Sequence, residues 1–308
     1  MSELTVYLLA LLPAVLWGLS PVFSKRGMAA GGSALQASLV VVVVDSLLFW
    51  AALVALQGVD LFANLTLPAV ATFAVAGVVG TSLGRLATFV GVHRVGASVN
   101  SAGISTRPLF ATLLAVGWLG ETVSPGMVLG IVVLIVGLVV LALAKGGDIG
   151  GWRPRDLLFP LAAAFAFGLG NVLRKFGLDT YDATVLEAVA LNETAALVAL
   201  GAFLVARRGT DVLAAPRETY GYFAVSGTLT AFALASLFAA LELGRVAVVD
   251  PLAATAPLFT TLFSAVFLRD LEVVTRGVVA GALLVVVGVG MVTAFSTEAF
   301  ALTALVGT

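Results

Sequence analysis

The chain has 308 residues, of which 61% are hydrophobic and only 11% are charged, with a mean hydropathy of +1.14. These values exclude a water-soluble domain and indicate an integral membrane protein. Cysteine is absent and the only histidine is His93, which rules out disulfides and most transition-metal sites, so we expect no metal and no cofactor. The net charge of −1 says little about partners, and we expect no nucleic acid among them.

Apolar segments of about 20 residues recur along the chain, and each is long enough to cross a bilayer as a helix. Since the first residues lack the basic stretch of a secretory signal, we expect the first segment to be retained. The sequence predicts an all-α membrane protein with ten transmembrane helices. They are placed near residues 4–24, 33–56, 67–91, 97–119, 124–144, 157–177, 183–206, 218–241, 246–268 and 274–295.

The two halves of the chain repeat one pattern. Pro-Leu-Phe-x-Thr occurs at 108–112 and at 257–261, and Phe-Ala-Val-Ala-Gly at 73–77 matches Phe-Ala-Val-Ser-Gly at 223–227. Because each half has five spans, the second enters the membrane upside down, which predicts two inverted five-helix repeats. The predicted units are a first repeat at 1–145, a linker at 146–155, a second repeat at 156–296 and a short tail at 297–308.

Basic residues are distributed unequally between the two sets of loops. One set carries eleven lysines and arginines, whereas the set on the same side as the termini has three, namely Arg174, Lys175 and Arg245. The positive-inside rule therefore predicts that the termini lie outside. The eleven are Lys25, Arg26, Arg94, Lys145, Arg153, Arg155, Arg207, Arg208, Arg217, Arg269 and Arg276.

Opposite charges near the centres of apolar segments indicate buried pairs or functional groups. Arg107 and Asp45 lie at similar depth, which predicts an ion pair between the second and fourth helices, either structural or functional. Asn100 shares the face of Arg107 by helical spacing and extends a polar stripe along the substrate pathway. Glu193 lies in the middle of the seventh segment, where an unpaired carboxyl could carry a proton and a paired one would brace the bundle.

Further polar and aromatic residues are candidates for the pathway. Trp17 either stacks on substrate or packs, and Arg85 either lines the pathway or extends to the membrane surface. Lys25 lies at a helix end and is a candidate to project into the cavity. In the second half the candidates are Asn171, Lys175 and Asp250. Helix breaks are predicted at the prolines Pro21, Pro108, Pro251 and Pro257.

Two motifs carry a resemblance to a known family. Leu-Trp-Gly-Leu-Ser-Pro-Val-Phe-Ser-Lys at 16–25, with a fourth helix that has a mid-span proline and ends in Leu-Gly-Glu at 119–121, resembles the EamA-type transporters of the drug/metabolite transporter superfamily. The resemblance covers nearly the whole chain. It implies a central pathway lined mainly by the first, third and fourth helices of each repeat, with the fifth helices packing the halves together.

The chain departs from this pattern in two places, because Phe-Ala-Phe-Gly at 165–168 replaces the Trp-Gly pair and Arg269-Asp270 replaces Gly-Glu. The superfamily exports or exchanges amino acids, other metabolites, nucleotide sugars and drugs. Its members are usually drawn with cytoplasmic termini, which is opposite to the charge count, so the orientation stays open.

These observations together predict a secondary active transporter in the plasma membrane. We expect it to export or exchange a small organic metabolite, such as an amino acid, by alternating access, with proton coupling as an option. Its expected partners are the substrate and the lipid bilayer, and assembly into a homo-oligomer stays open. A channel or a non-transporting scaffold is the alternative. An enzyme is disfavoured because no nucleophile or metal-ligand motif is present, and the lack of a Walker motif argues against ATP as the driver.

Overall fold

The computed structural model describes residues 3–57, 65–144, 151–208, 214–267 and 275–306. These ranges are helical apart from short turns and connecting segments, as the composition predicts. The α-helices are α1 Glu3–Ala29, α2 Ala34–Gln57, α3 Leu67–Ala76, α4 Gly84–Ile104, α5 Arg107–Leu119, α6 Pro125–Ala144, α7 Leu158–Thr180, α8 Val185–Arg208, α9 Arg217–Leu243, α10 Val246–Ala253, α11 Ala256–Phe267 and α12 Arg276–Val306. A π-helix, Gly77–Leu83, joins α3 to α4, and a 3₁₀ turn, Pro154–Leu157, precedes α7.

Among the described residues, nine helical stretches are long and apolar enough to cross a membrane, and α5 is apolar but shorter. One of the nine, Leu67–Ile104, is continuous across the predicted third and fourth segments. Only Gly96, with a left-handed φ of 80°, interrupts it. A Cβ built on Gly91 would meet the amide oxygen of Asn100, so the chain folds back on itself at Gly96. Glycine permits this reversal within one residue, which is why no loop is needed.

Two of the predicted segments are broken near their middle. A turn at Ser105–Thr106 separates α4 from α5, and a turn at Ala254–Thr255 separates α10 from α11. Pro108 and Pro257 are each the second residue of the helix that follows. N–H groups in the first turn make no hydrogen bond within the helix, so the lack of an N–H in proline costs nothing there. Proline therefore favours the start of a new helix at these positions.

The two other predicted breaks are wrong. Pro21 lies inside the uninterrupted α1, and Pro251 lies inside α10. A proline leaves one backbone carbonyl without its helical partner, but a membrane helix tolerates this where other helices surround it. Pro251 is buried among such neighbours, and the chain breaks three residues later.

Contacts between the halves are reciprocal. The first helix of each half packs on the third helix of the other, because α1 contacts α9 while α7 contacts α3 and the π-helix. Gly27 of α1 accommodates the ring of Phe223, and Gly177 of α7 accommodates the ring of Phe73. The two glycines are 150 residues apart in the sequence, and so are the two phenylalanines. The equivalent helices α6 and α12 also pack together, as do α2 and α8.

The bundle has two ends that are referred to below. The Glu121 end contains Glu121 and the start of α1, where Tyr7 bonds to Ser296 at the far end of the chain. The Gly96 end contains Gly96 and the end of α1, where Thr219 donates to the carbonyl of Ala30. Tyr7 and Lys175 line one small pocket at the Glu121 end, so α7 ends where α1 begins and the two helices run in opposite directions.

Candidate functional site

Three adjoining cavities meet at Trp17 in the middle of the bundle, and together they are called the central cavity. The first, of about 210 Å³, is bordered by the π-helix, Arg85 and Arg107. The second, of about 320 Å³, runs from Trp17 past Arg85 to Met28 near the Gly96 end. The third, of about 300 Å³, follows the two helix breaks from Asn100 to Pro257. The first cavity also reaches Arg174 and Leu237, in the later turns of α7 and α9.

Apolar packing lies between the central cavity and the Glu121 end. Buried apolar residues of α1, α9 and α10, including Ala10, Leu241 and Val249, form a core cluster there. None of the residues that line these three cavities belongs to the Glu121 end. The structure therefore has a central cavity that is closed towards the Glu121 end.

Arg107 and Asp250 form an ion pair across the two halves. Arg107 Nε lies 3.1 Å from Asp250 Oδ1 and donates to Oδ2 at 3.2 Å, and its Nη2 donates to the main-chain oxygen of Asp250 at 3.2 Å. The side chain of Asp250 is fully buried and that of Arg107 is 14% exposed. Asn171 donates a further short hydrogen bond to Asp250. The predicted pair between Arg107 and Asp45 is therefore wrong.

The partner of Arg107 follows from the packing of the broken helices. Arg107 begins α5 and Asp250 lies in α10, and these two helices contact each other. Depth along the chain does not distinguish Asp45 from Asp250 as a partner. The partner is decided by which face of each helix points towards its neighbour. The hydropathy pattern carries no information about that orientation.

Arg174 is the centre of a second buried cluster. Its guanidinium donates to Asn192 Oδ1 at 3.1 Å, to Asn171 Oδ1 at 2.7 Å and to Thr81 Oγ1 at 3.0 Å, and it lies over the ring of Phe238. Only 4% of the residue is exposed. Arg174 is therefore a buried helix residue, and its assignment to the loops on the side of the termini is wrong. Its position three residues after Asn171, inside the predicted segment 157–177, is the sequence signal that places it on the same helix face.

Glu193 is held by neutral donors. Its Oε1 accepts hydrogen bonds from Asn192 Nδ2 at 2.7 Å and from Thr81 Oγ1 at 3.2 Å, and the residue is fully buried. Its Oε2 has no hydrogen-bond partner. Thr81 belongs to the π-helix, whose Gly77 leaves no room for a Cβ against the backbone of Asn192. Such π-helical turns are frequent at functional sites.

Asp45 is also fully buried, and neither of its carboxyl oxygens has a hydrogen-bond partner. It lies close enough to Glu193 and Arg85 to interact with both electrostatically. Thr81, Arg174 and Glu193 thus connect the π-helix of the first half to α7 and α8 of the second, with Asp45 beside them.

Five of the predicted pathway residues line the central cavity, and they are Trp17, Arg85, Asn100, Arg107 and Asn171. Asp250 lies directly behind Arg107. Lys25 is exposed towards the Gly96 end, and Lys175 binds Asp179 at 2.8 Å near the Glu121 end. The structure does not bring these two lysines into the lining of the central cavity.

Comparison with known proteins finds the same family model in both halves of the chain. The model of the EamA-like transporter family matches residues 4–143 and again residues 155–294. The chain belongs to the EamA-like transporter family. It is therefore a multi-pass membrane protein of a family of small-molecule transporters, which are not enzymes, and the resemblance of the motifs at 16–25 and 119–121 is confirmed.

The fold of this EamA-like transporter also occurs among solved structures, of which 29 chains match. A crystal structure of a protein with 19% sequence identity has a TM-score of 0.77 and covers 96% of this chain and 99% of its own. At this identity the likeness shows the shared fold alone. No curated protein matches the sequence.

One further residue of the EamA-like transporter joins its halves at the Glu121 end. Glu121 follows α5 in the first half, and its two carboxyl oxygens accept the N–H groups of Val246 at 2.7 Å and Ala247 at 2.9 Å in the second. These N–H groups begin α10, where a carboxylate is favoured by the helix dipole. Arg245 strengthens the junction by donating to the carbonyls of Thr122 and Ser296.

Burial raises the pKa of the Glu121 carboxyl from its usual 4.5, while the Ala247 and Val246 N–H groups and the charges of Lys175 and Arg245 lower it by less. An arrangement with a raised pKa binds the proton more tightly than one in which the carboxyl is exposed. Closure at Glu121 is therefore fully stabilised below the pKa of the exposed carboxyl, 4.5, and this stabilisation is lost as pH rises from there through the raised value. We expect the Glu121 end to open more readily at neutral pH than near pH 4.5.

The measurement is the rate at which a thiol reagent labels Val248→Cys, a position in α10 that is 4% exposed. The same cysteine in a Glu121→Gln background is the control, because thiol chemistry contributes its own pH dependence. We expect the pH dependence beyond that of the thiol to be lost in Glu121→Gln. Identical pH profiles in both backgrounds would show that Glu121 does not control the opening.

Proposed function

We propose that this EamA-like protein is a secondary active transporter of small organic metabolites in the plasma membrane, acting as an exporter or exchanger by alternating access. The observation that carries this proposal is the central cavity, which lies between the two halves and is closed towards the Glu121 end. Charged and polar groups from both halves meet at its inner surface. A site of this kind at the boundary of two repeats is typical of secondary transporters.

The proposed architecture is ten spans in two inverted repeats. It is supported by the reciprocal packing of α1 with α9 and of α7 with α3, and by the opposite directions of α1 and α7. The fold-back at Gly96 divides the longest helical stretch into two spans, and the turns near Pro108 and Pro257 break equivalent helices in each half. Alternating access then corresponds to rocking of the halves around the fixed central cavity.

Proton coupling is the proposed driving force. Glu193 and Asp45 are both fully buried, and three of their four carboxyl oxygens have no hydrogen-bond partner. A carboxylate that is removed from water without enough donors is unfavourable, and a bound proton relieves that cost, so each of the two groups is a candidate proton carrier. Because they border the network behind the cavity, a change in their protonation would alter the electrostatics that the substrate meets.

Counterflow in proteoliposomes tests the transport proposal. Liposomes with the purified protein are loaded with an unlabelled compound, and uptake of a labelled trace of the same compound is followed across a panel of amino acids and other metabolites. A carrier shows saturable counterflow that empty liposomes lack. Flux without saturation or counterflow would indicate a channel, and the absence of any flux would indicate a scaffold.

A lock at the Glu121 end separates alternating access from a static pore. Cysteines at Thr122 and Ser296, which Arg245 bridges from opposite halves, can be linked by a short bifunctional maleimide in this cysteine-free chain. Linking should abolish counterflow, whereas each single-cysteine variant treated with the same reagent should keep it. Counterflow that survives complete linking would contradict movement at this end.

The proposed orientation has the basic Gly96 end in the cytoplasm. Because Arg174 is buried, it does not count as a loop charge, and the loops at the Glu121 end keep only Lys175 and Arg245. The other set of loops carries eleven basic residues. Single cysteines at the exposed positions Ala29 and Asp182 report the two ends. An impermeant reagent outside intact cells should label Asp182→Cys and leave Ala29→Cys unlabelled, and the converse result would give the orientation usual for the family.

A further inference from the structure

The lining of the central cavity carries arginines and no acidic residue. Arg85, Arg107 and Arg174 all border it, whereas none of its described lining residues is an aspartate or a glutamate. The acids of the network, Asp45 among them, lie buried behind the lining. A molecule that enters the cavity therefore meets cationic groups first.

The three arginines differ in how far their donors are used. Arg107 is paired with Asp250, and Arg174 donates three hydrogen bonds and covers an aromatic ring. Arg85 makes one long hydrogen bond, from Nη1 to Ser38 Oγ at 3.5 Å. A guanidinium has five N–H donors in a planar fork, so most of the donors of Arg85 are available to a ligand.

The position of Arg85 is that of a ligand-binding group. It directly follows the π-helix and Gly84, and it borders both the first and the second cavity, which meet at Trp17. The second cavity adds hydroxyl groups from Ser20 and Ser226, which lie 2.6 Å apart. The indole of Trp17 provides an apolar surface within reach of the same space.

The charge balance around Arg85 points to an anion. Asp45 lies close enough to Arg85 to interact with it electrostatically, but neither of its carboxyl oxygens accepts a hydrogen bond. Among the described residues no carboxylate is therefore hydrogen-bonded to Arg85, and an anion in the cavity can take that place. Carboxylates fit a guanidinium fork with two parallel hydrogen bonds, and such charge-assisted bonds are the strong ones.

We propose that Arg85 binds the carboxylate of the transported molecule, so that the substrates of this EamA-like transporter are small organic carboxylates. This inference rests on the proposed transport function and specifies its substrate class. The carbon skeleton lies against Trp17, and the hydroxyl groups of Ser20 and Ser226 face its polar substituents. Removal of the charge of Arg85 should weaken carboxylate binding about tenfold to a hundredfold, as expected for the loss of charge-assisted hydrogen bonds.

The test is thermal unfolding of the purified full-length protein with matched pairs of acids and neutral amides, namely lactate with lactamide and leucine with leucinamide, together with malate. We expect a carboxylate to raise the Tm at millimolar concentration and its amide not to. Arg85→Gln should lose this response, and Arg85→Lys should keep part of it because it retains the charge without the fork. Arg94→Gln is the control, since Arg94 lies on the same helix and its side chain is 58% exposed.

Several results would overturn the proposal. They are an equal response to acid and amide, an undiminished carboxylate affinity in Arg85→Gln, and a lack of response to every acid in the panel. If Arg85→Gln does not fold, Arg85→Lys decides, because an unchanged affinity there would exclude bidentate binding by Arg85. If only neutral compounds show counterflow, the protein is a transporter but the proposal of carboxylate substrates is wrong. If carboxylates bind but no compound shows counterflow, Arg85 binds carboxylates but the proposed transport function is wrong.

Discussion

Replacing Asp250 by asparagine, or Arg107 by glutamine, should destabilise the protein by about 3–5 kcal/mol, because either change leaves a buried charge without its partner. Asp250 is fully buried, and Arg107 is bound to both its carboxyl group and its main-chain oxygen. Since the two residues belong to different halves, the loss should also loosen the contact between α5 and α10.

The double variant Arg107→Gln/Asp250→Asn should recover much of this loss, since it removes both charges together. The measurement is the unfolding free energy in detergent for the wild type, both single variants and the double variant. Arg94→Gln is the matched control, because its pair with Asp156 is 3.8 Å long and its side chain is 58% exposed. An exposed pair of this kind contributes less than about 1 kcal/mol. Strictly additive losses at Arg107 and Asp250 would show that their charges do not depend on each other.

The sequence predicts the class of fold well because the bilayer imposes a simple rule. An apolar stretch of about 20 residues must satisfy its backbone within a helix, so composition and length are enough to predict the helices. The repeated motifs at 108–112 and 257–261 likewise predict equivalent elements, and the structure places a helix break just before each. Local signals of this kind do not depend on how the helices pack.

Side-chain partners could not be predicted in the same way. Hydropathy gives the depth of Arg107 in the membrane, but its choice of Asp250 over Asp45 depends on which helix faces which. Arg174 shows the same limit, because two of its three acceptors, Asn192 and Thr81, come from other helices of the bundle. The continuity of α1 through Pro21 is also a packing effect, since surrounding helices decide whether a proline bends or breaks a membrane helix.

Glu193→Gln should abolish substrate accumulation driven by a pH gradient and leave exchange at equal pH intact. Glu193 is buried, its Oε2 has no partner, and its Oε1 is held by the neutral groups of Thr81 and Asn192. Gln can replace the hydrogen-bonding carbonyl oxygen but cannot release a proton. The variant should therefore resemble a permanently protonated transporter, which still moves substrate but no longer couples its movement to the gradient.

The assay uses proteoliposomes and the compound that gives the strongest counterflow, with and without an imposed pH gradient. Glu187→Gln is the matched control, because Glu187 is also a buried carboxyl of α8 but both the N–H and the hydroxyl group of Thr184 donate to it. We expect this control to keep accumulation. If Glu193→Gln also keeps it, Glu193 does not carry the proton, and Asp45→Asn then tests the neighbouring acid. Loss of accumulation in Asp45→Asn alone would assign the proton to Asp45, whose two oxygens have no donor to hold them in the charged form.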